Sequence, residues 1–128
     1  MKISKLFFLF TFIAATAALT SCNAQSNQVD AKTFAAKIKE GNVTLVDVRT
    51  PDEYNSGHIA NATNIDIYSN TFMNQIGALP KDKTVMVYCR SGSRSAQAAA
   101  KLRQMGYTVM DLAGGIGSWS GAGMPVVR

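Results

Sequence analysis

Histidine and cysteine are scarce in this 128-residue chain, which has one of the first, His58, and two of the second, Cys22 and Cys89. That leaves too few soft ligands for a metal centre, so no metal site and no cofactor is expected. Lysine and arginine never form runs, and aromatics do not interleave with them, so nucleic acid is not an expected partner. Long apolar runs are missing too. The most apolar stretch, Leu6 to Leu19, holds 14 residues, short of the roughly 18 that a spanning helix needs. No amphipathic basic helix follows it, which sets membrane-disrupting functions aside. Internal repeats and low-complexity segments are absent.

What the N-terminus does contain is a basic start, with Lys2 and Lys5 as the only charges in the first 29 residues. The apolar stretch and then small residues follow, the order of an export signal. Leu19-Thr20-Ser21-Cys22 resembles the bacterial lipobox, a leucine and two small residues before the cysteine to be acylated. The resemblance implies a lipoprotein signal peptide over 1–21 and lipidation of Cys22. Two or more acyl chains hold a protein stably on a membrane, so the expected location is the bacterial cell envelope, with the domain in the periplasm. Residues 22–29 are read as a lipidated flexible tether, and 30–128 as one small domain. Without Lys2 and Lys5 the chain carries 11 basic against 8 acidic residues, or +3.

With Cys22 acylated, Cys89 is the remaining thiol, and no intrachain disulfide can form. Its setting is Val85-Met86-Val87-Tyr88, an apolar strand pattern, then Cys89-Arg90-Ser91-Gly92-Ser93-Arg94-Ser95, then a helical pattern. A cysteine between a strand end and a helix start meets inward-turned N–H groups and the positive end of the helix dipole. Both lower a thiol pKa and favour a bound anion. Arg90 and Arg94 add permanent positive charge. A lone cysteine in an oxidising compartment is a liability unless it is used, and this one is read as a nucleophile.

Strand and helix signals alternate along the rest of the domain. Asp30 caps a helix through Ile38 and Lys39, ended by Gly41-Asn42. Val43–Val46 reads as a buried strand, and Thr50-Pro51-Asp52-Glu53 as a capped helix start with acids in its first turn. An extended piece from Gly57 ends near Ile65, a helix spans Tyr68–Leu79, and strands follow at Val85–Tyr88 and Thr108–Leu112. Between those strands lies the helix Arg94–Met105, and Gly114-Gly115 opens a last helix around Trp119. This pattern predicts an α/β fold, with a mainly parallel central sheet and helices on both faces. Ligand sites in such sheets lie at the carboxyl ends of the strands, where Cys89 follows Tyr88 and Asp47 follows Val46.

Leu45-Val46-Asp47-Val48-Arg49 with Glu53-Tyr54 and Gly57-His58-Ile59 resembles the first signature of rhodanese-like domains. Val85 to Ser95 resembles their active-site loop. Gly106-Tyr107, Gly114-Gly115, Trp119 and Gly123-Met124-Pro125-Val126 resemble their closing segment. One departure is Asp66 after Asn64-Ile65, where many members carry proline. The resemblance implies a rhodanese-like sulfurtransferase. Cys89 takes sulfur as a persulfide from a donor such as thiosulfate, and a thiol, cyanide or protein acceptor removes it.

The residue chemistry is consistent with this. Double displacement needs a nucleophile ionised near neutral pH and an anionic leaving group. The N–H groups of Arg90, Ser91, Gly92, Ser93, Arg94 and Ser95 are positioned for the thiolate and then the persulfide, and Arg90 and Arg94 for the sulfonate of the donor. Either arginine has an alternative use as the structural partner of a carboxylate. Asp47 and Arg49 are read as an ion pair supporting the site, and His58 as a packing residue. Cysteine phosphatases place five residues between cysteine and arginine. Here there are four before Arg94, so phosphatase and arsenate-reductase chemistry fit less well. The alternative from another class is a non-enzymatic persulfide or anion-binding relay that presents Cys89 to a protein partner.

Overall fold

The computed structural model describes residues 27–128. The signal segment and Cys22 lie outside them. Local rules account for the first elements. Asp30 accepts the Thr33 N–H at 2.8 Å and starts α1 (Ala31–Glu40), which stops at Gly41, whose φ of 83° suits glycine. Thr50 caps α2 (Pro51–Ser56) through the Glu53 N–H, with Pro51 in the first turn.

Five strands make one all-parallel sheet: β1 (Gln28–Val29), β2 (Val43–Asp47), β3 (Thr63–Asn64), β4 (Thr84–Tyr88) and β5 (Val109–Leu112), in the order β1-β5-β4-β2-β3. Three further helices complete the described residues: α3 (Phe72–Gly77), α4 (Ser93–Gln104) and α5 (Gly115–Gly121). Alternation along the strands splits the core in two. Val46, Val85, Val87 and Val109 pack with α3 and α4 through Phe72, Ile76, Ala98, Ala99 and Leu102. On the other face Leu45, Met86, Tyr88 and Leu112 pack with Phe34 of α1 and Trp119 of α5. Helices therefore cover both faces, as the alternation predicts.

Three spans differ from expectation. Gln28 and Val29, assigned above to the tether, pair with Asp111 and Leu112 of β5, so the folded unit takes them in. The helix expected over Tyr68–Leu79 forms only from Phe72. The Asp66 carboxylate takes the Tyr68 N–H at 2.9 Å, and the Ser69 hydroxyl takes that of Thr71 at 3.2 Å. Such side-chain bonds offer the backbone an alternative to the helix. The extended piece after Gly57 leaves the sheet as well. His58 makes an isolated antiparallel bridge with Val127, and only Thr63–Asn64 pairs with β2.

What the sheet contributes to function is its carboxyl edge. Asp47 and Tyr88 are register partners at the ends of β2 and β4, which sets Cys89 at the rim beside the β2 exit.

Candidate active site

Cys89 leaves β4 and is 1 % exposed, with Gly92 donating its N–H to Sγ at 3.0 Å. The loop is shaped from two sides. On one side Gly92 adopts φ 106°, a left-handed conformation that costs glycine little, and turns the chain into α4. On the other, the start of α5 takes the loop's outward carbonyls. Ile116 donates its N–H to the Cys89 oxygen at 2.9 Å, and Gly117 to that of Arg90 at 3.2 Å. A Cβ at Gly115 would sit 2.5 Å from these same carbonyl groups, so this approach requires glycine. With the carbonyls held outward, the loop N–H groups are free to face the sulfur.

Burial opposes ionisation of the thiol. The Ser95 hydroxyl and the N–H groups of Ser95, Gly92 and Ser91 outweigh it, and the Cys89 pKa lies below the ordinary thiol value. Ser95 is wholly buried; its single hydroxyl proton points to the Gly92 oxygen at 3.2 Å, and turns to the sulfur when the thiol ionises. Ser91 and Ser93 are exposed on the loop's outer side.

The arginines divide. Arg94 makes a two-pronged ion pair with Glu53 of α2, Nη1 to Oε1 at 2.7 Å and Nη2 to Oε2 at 2.8 Å. This pair lowers the Glu53 carboxyl to about 2 and raises the guanidinium further. Arg94 thus takes up the structural partnership the sequence left open. Arg90 is exposed and has no carboxylate partner among the described residues. It lines a shallow cleft with Arg49, Glu53, Ser56 and Ile116. A larger concavity is lined by Asp30, Lys32, Gly114 and Ser118, and Cys89 lines neither of the two.

Asp47 and Arg49 form an ion pair. Arg49 Nη2 reaches Asp47 Oδ2 at 2.6 Å and the Gly57 oxygen at 2.8 Å, with the carboxylate fully buried. Asn64 ties the Asp47 and Arg49 carbonyl oxygens to β3. Tyr88 is fully buried; its hydroxyl accepts the Ile59 N–H at 3.0 Å, and burial raises its pKa. His58 stacks on Tyr54 at 3.7 Å, with Nδ1 3.0 Å from the Tyr54 oxygen, as a packing residue.

Two residues escaped the sequence reading. Glu53 was read as a first-turn acid, and its link to Arg94 spans 41 positions. Asp111 is completely buried in β5, with Oδ2 accepting from Gln28 at 3.2 Å and Oδ1 unpartnered. Its only sequence signal is a charge inside an apolar strand.

Against known proteins, the family model for the rhodanese-like domain matches residues 30–122. A sulfurtransferase of Allochromatium vinosum is 39 % identical over 103 residues, spanning 79 % of this chain and 94 % of that protein. The thiosulfate sulfurtransferase PspE of Escherichia coli is 38 % identical over 71 residues, 56 % of this chain and 68 % of that one. The crystal structure of a rhodanese-related protein from Thermoplasma volcanium superposes with a TM-score of 0.72 at 39 % identity, covering 79 % of this chain and 97 % of that chain.

Proposed function

The chain belongs to the family of rhodanese-like domains, and from that premise we propose that it transfers sulfane sulfur through a persulfide on Cys89. The observation that carries this reading is a thiol held below its ordinary pKa by the hydrogen-bond donors of its own loop, with Gly92 N–H at 3.0 Å.

In the first half-reaction the Cys89 thiolate attacks the outer sulfur of a donor such as thiosulfate. The donor S–S bond breaks, sulfite leaves with its electron pair, and a Cys89 persulfide anion remains. In the second, an acceptor thiolate or cyanide attacks the terminal sulfur and Cys89 departs as the thiolate. Charge is conserved in each half, and no proton must be removed from an ionised cysteine, so His58 has no part to play. The loop N–H groups then serve the terminal sulfur as they served the thiolate. Arg90, free to meet an anion, is the group we assign to the sulfonate.

Intact-mass spectrometry of the full chain after incubation with thiosulfate tests this. The expected result is a gain of one sulfur atom, reversed by cyanide and absent in Cys89→Ser. No gain on a folded protein with reduced Cys89 would overturn the thiosulfate reading and favour a relay fed by a protein partner. From the Leu19–Cys22 pattern we also propose lipidation at Cys22 and an envelope location. Metabolic labelling with a radioactive fatty acid, lost in Cys22→Ala, checks it.

A further inference from the structure

Charge is not spread evenly over this domain. Lys37 and Lys39 lie in the last turn of α1, Lys101 and Arg103 in the last turn of α4, and Lys81 and Lys83 just before β4. The strands are parallel and these helices run back against them. All six therefore gather at the amino end of the sheet, opposite the Cys89 rim. Glu40 and Asp82 are the acids that lie with them. The other five basic residues of the domain are outnumbered by six acids, so this pole holds more than the whole +3. Helix ends account for part of the excess, since a lysine near a C-terminus offsets the dipole. Lys81 is used in this way, donating to the Met105 carbonyl and lying over the Tyr107 ring, and Lys37 pairs with Glu40 at 3.3 Å. Lys39, Lys83 and Lys101 are exposed and have no carboxylate partner among the described residues.

The chain enters the domain at the same pole. β1 is parallel to its neighbour β5, so the residues before Gln28 arrive from the amino end of the sheet. The Asp111 N–H, bonded to the Asn27 oxygen at 2.9 Å, holds the chain to that direction. Cys22 precedes Asn27 by five residues, a span of at most about 18 Å. Acyl chains on Cys22 would bring a bilayer within that distance of the domain, on the side from which the tether comes. Each basic residue close to an anionic lipid surface strengthens its hold about fivefold. Nothing comparable is available at the carboxyl rim, where acids balance the arginines.

We propose that the amino pole, through Lys39, Lys83 and Lys101, rests on anionic phospholipid headgroups of the membrane that holds Cys22. This rests on the lipidation proposed above and goes beyond it, because an anchor alone leaves the domain free to tumble. With the basic pole against the lipid, the carboxyl rim and its Cys89 loop face the solvent, where dissolved donors and acceptors reach them.

The test is a lysine footprint. The full chain is expressed in a bacterium, and the protein is placed in vesicles of phosphatidylcholine with or without one-third phosphatidylglycerol. Lysines are acetylated with uncharged acetic anhydride and read peptide by peptide by mass spectrometry. With phosphatidylglycerol, Lys39, Lys83 and Lys101 should react at least about fivefold more slowly. Lys32, exposed in the first turn of α1 and so near the carboxyl rim, should keep its rate. Salt at about 0.5 M should restore the three, because it screens charge beyond about 4 Å. The double variant Lys83→Glu with Lys101→Glu should lose the protection of Lys39 while its melting temperature stays near the wild-type value. Equal labelling in the two vesicle types overturns the inference, and so does protection that extends to Lys32. Intact mass reports acylation of Cys22 separately. If Cys22 is unmodified, the lipidation reading fails, and the vesicle comparison on the unacylated chain still decides the pole by the same three lysines.

Discussion

Ser95 shows how much of the thiol's chemistry rests on single groups. Its buried hydroxyl is one of the donors that carry Cys89 below the ordinary thiol pKa against burial. A hydrogen bond to a charged group is worth ~1.5–3 kcal/mol, so Ser95→Ala should slow sulfur loading near neutral pH about tenfold. The pH midpoint of Cys89 alkylation should rise at the same time, while loading at high pH recovers. An unchanged midpoint would assign the thiolate to the backbone N–H groups alone. Asp111 makes the opposite case. Burial raises its carboxyl above the ordinary 3.8, while the Gln28 amide and the charge of Arg103 pull it back. A raised carboxyl holds its proton more tightly folded than unfolded, so its effect on stability is most favourable at low pH. That advantage is lost as pH rises through the folded value. Asp111→Asn keeps the shape without the titration. It should melt a few degrees above the wild type at pH 7, with the gap closing below about pH 4. A lower melting temperature at pH 7 would mean that Arg103 outweighs burial.

At the scale of elements, the loop is a bridge between β4, α4 and α5, and α5 supplies the less obvious support. Its first turn takes the Cys89 and Arg90 carbonyls, and Gly115 lies so close that any Cβ would press on them. Gly115 also has φ 60°. Gly115→Ala should therefore cost roughly 2 kcal/mol or more and abolish loading of Cys89 even where chemical denaturation still shows a cooperative fold. Full loading in a folded variant would show that the loop holds its shape without α5. Elements governed by neighbouring residues were legible in the sequence. The Asp30 and Thr50 caps, the β4 strand and the glycine-bounded loop all rest on contacts within a few positions. Where local side-chain bonds compete with the helix, as at Asp66 and Ser69, the pattern starts the helix at Tyr68 and the structure starts it at Phe72. Partners distant in sequence were not legible: Glu53 for Arg94, the α5 N–H groups for the loop carbonyls, and β5 for Gln28. Nothing in a residue's neighbours tells which far segment will close on it.

The whole molecule places Cys89 inside one of its two cores. The sulfur-bearing residue belongs to the same buried cluster as Val46, Val87, Ala98 and Leu102, on the side covered by α3 and α4. The loop's N–H groups lead into α4, so the packing of that helix sets their aim, whereas α3 packs in the same layer without carrying any residue of the loop. Two truncations in this one core should separate stability from chemistry. Leu102 and Ile76 are both fully buried, and each change to alanine should cost about 2–5 kcal/mol by removing contacts and leaving a cavity. Leu102→Ala acts on α4 and should also slow loading of Cys89, measured on folded protein well below its melting temperature. Ile76→Ala acts on α3 and should leave that rate near the wild-type value at the same loss of stability. Equal slowing in both variants would mean that the core supports the loop as one body. A slowing confined to Leu102→Ala would show that the sheet and a single helix aim the hydrogen-bond donors, with the rest of the layer serving only to keep the protein folded.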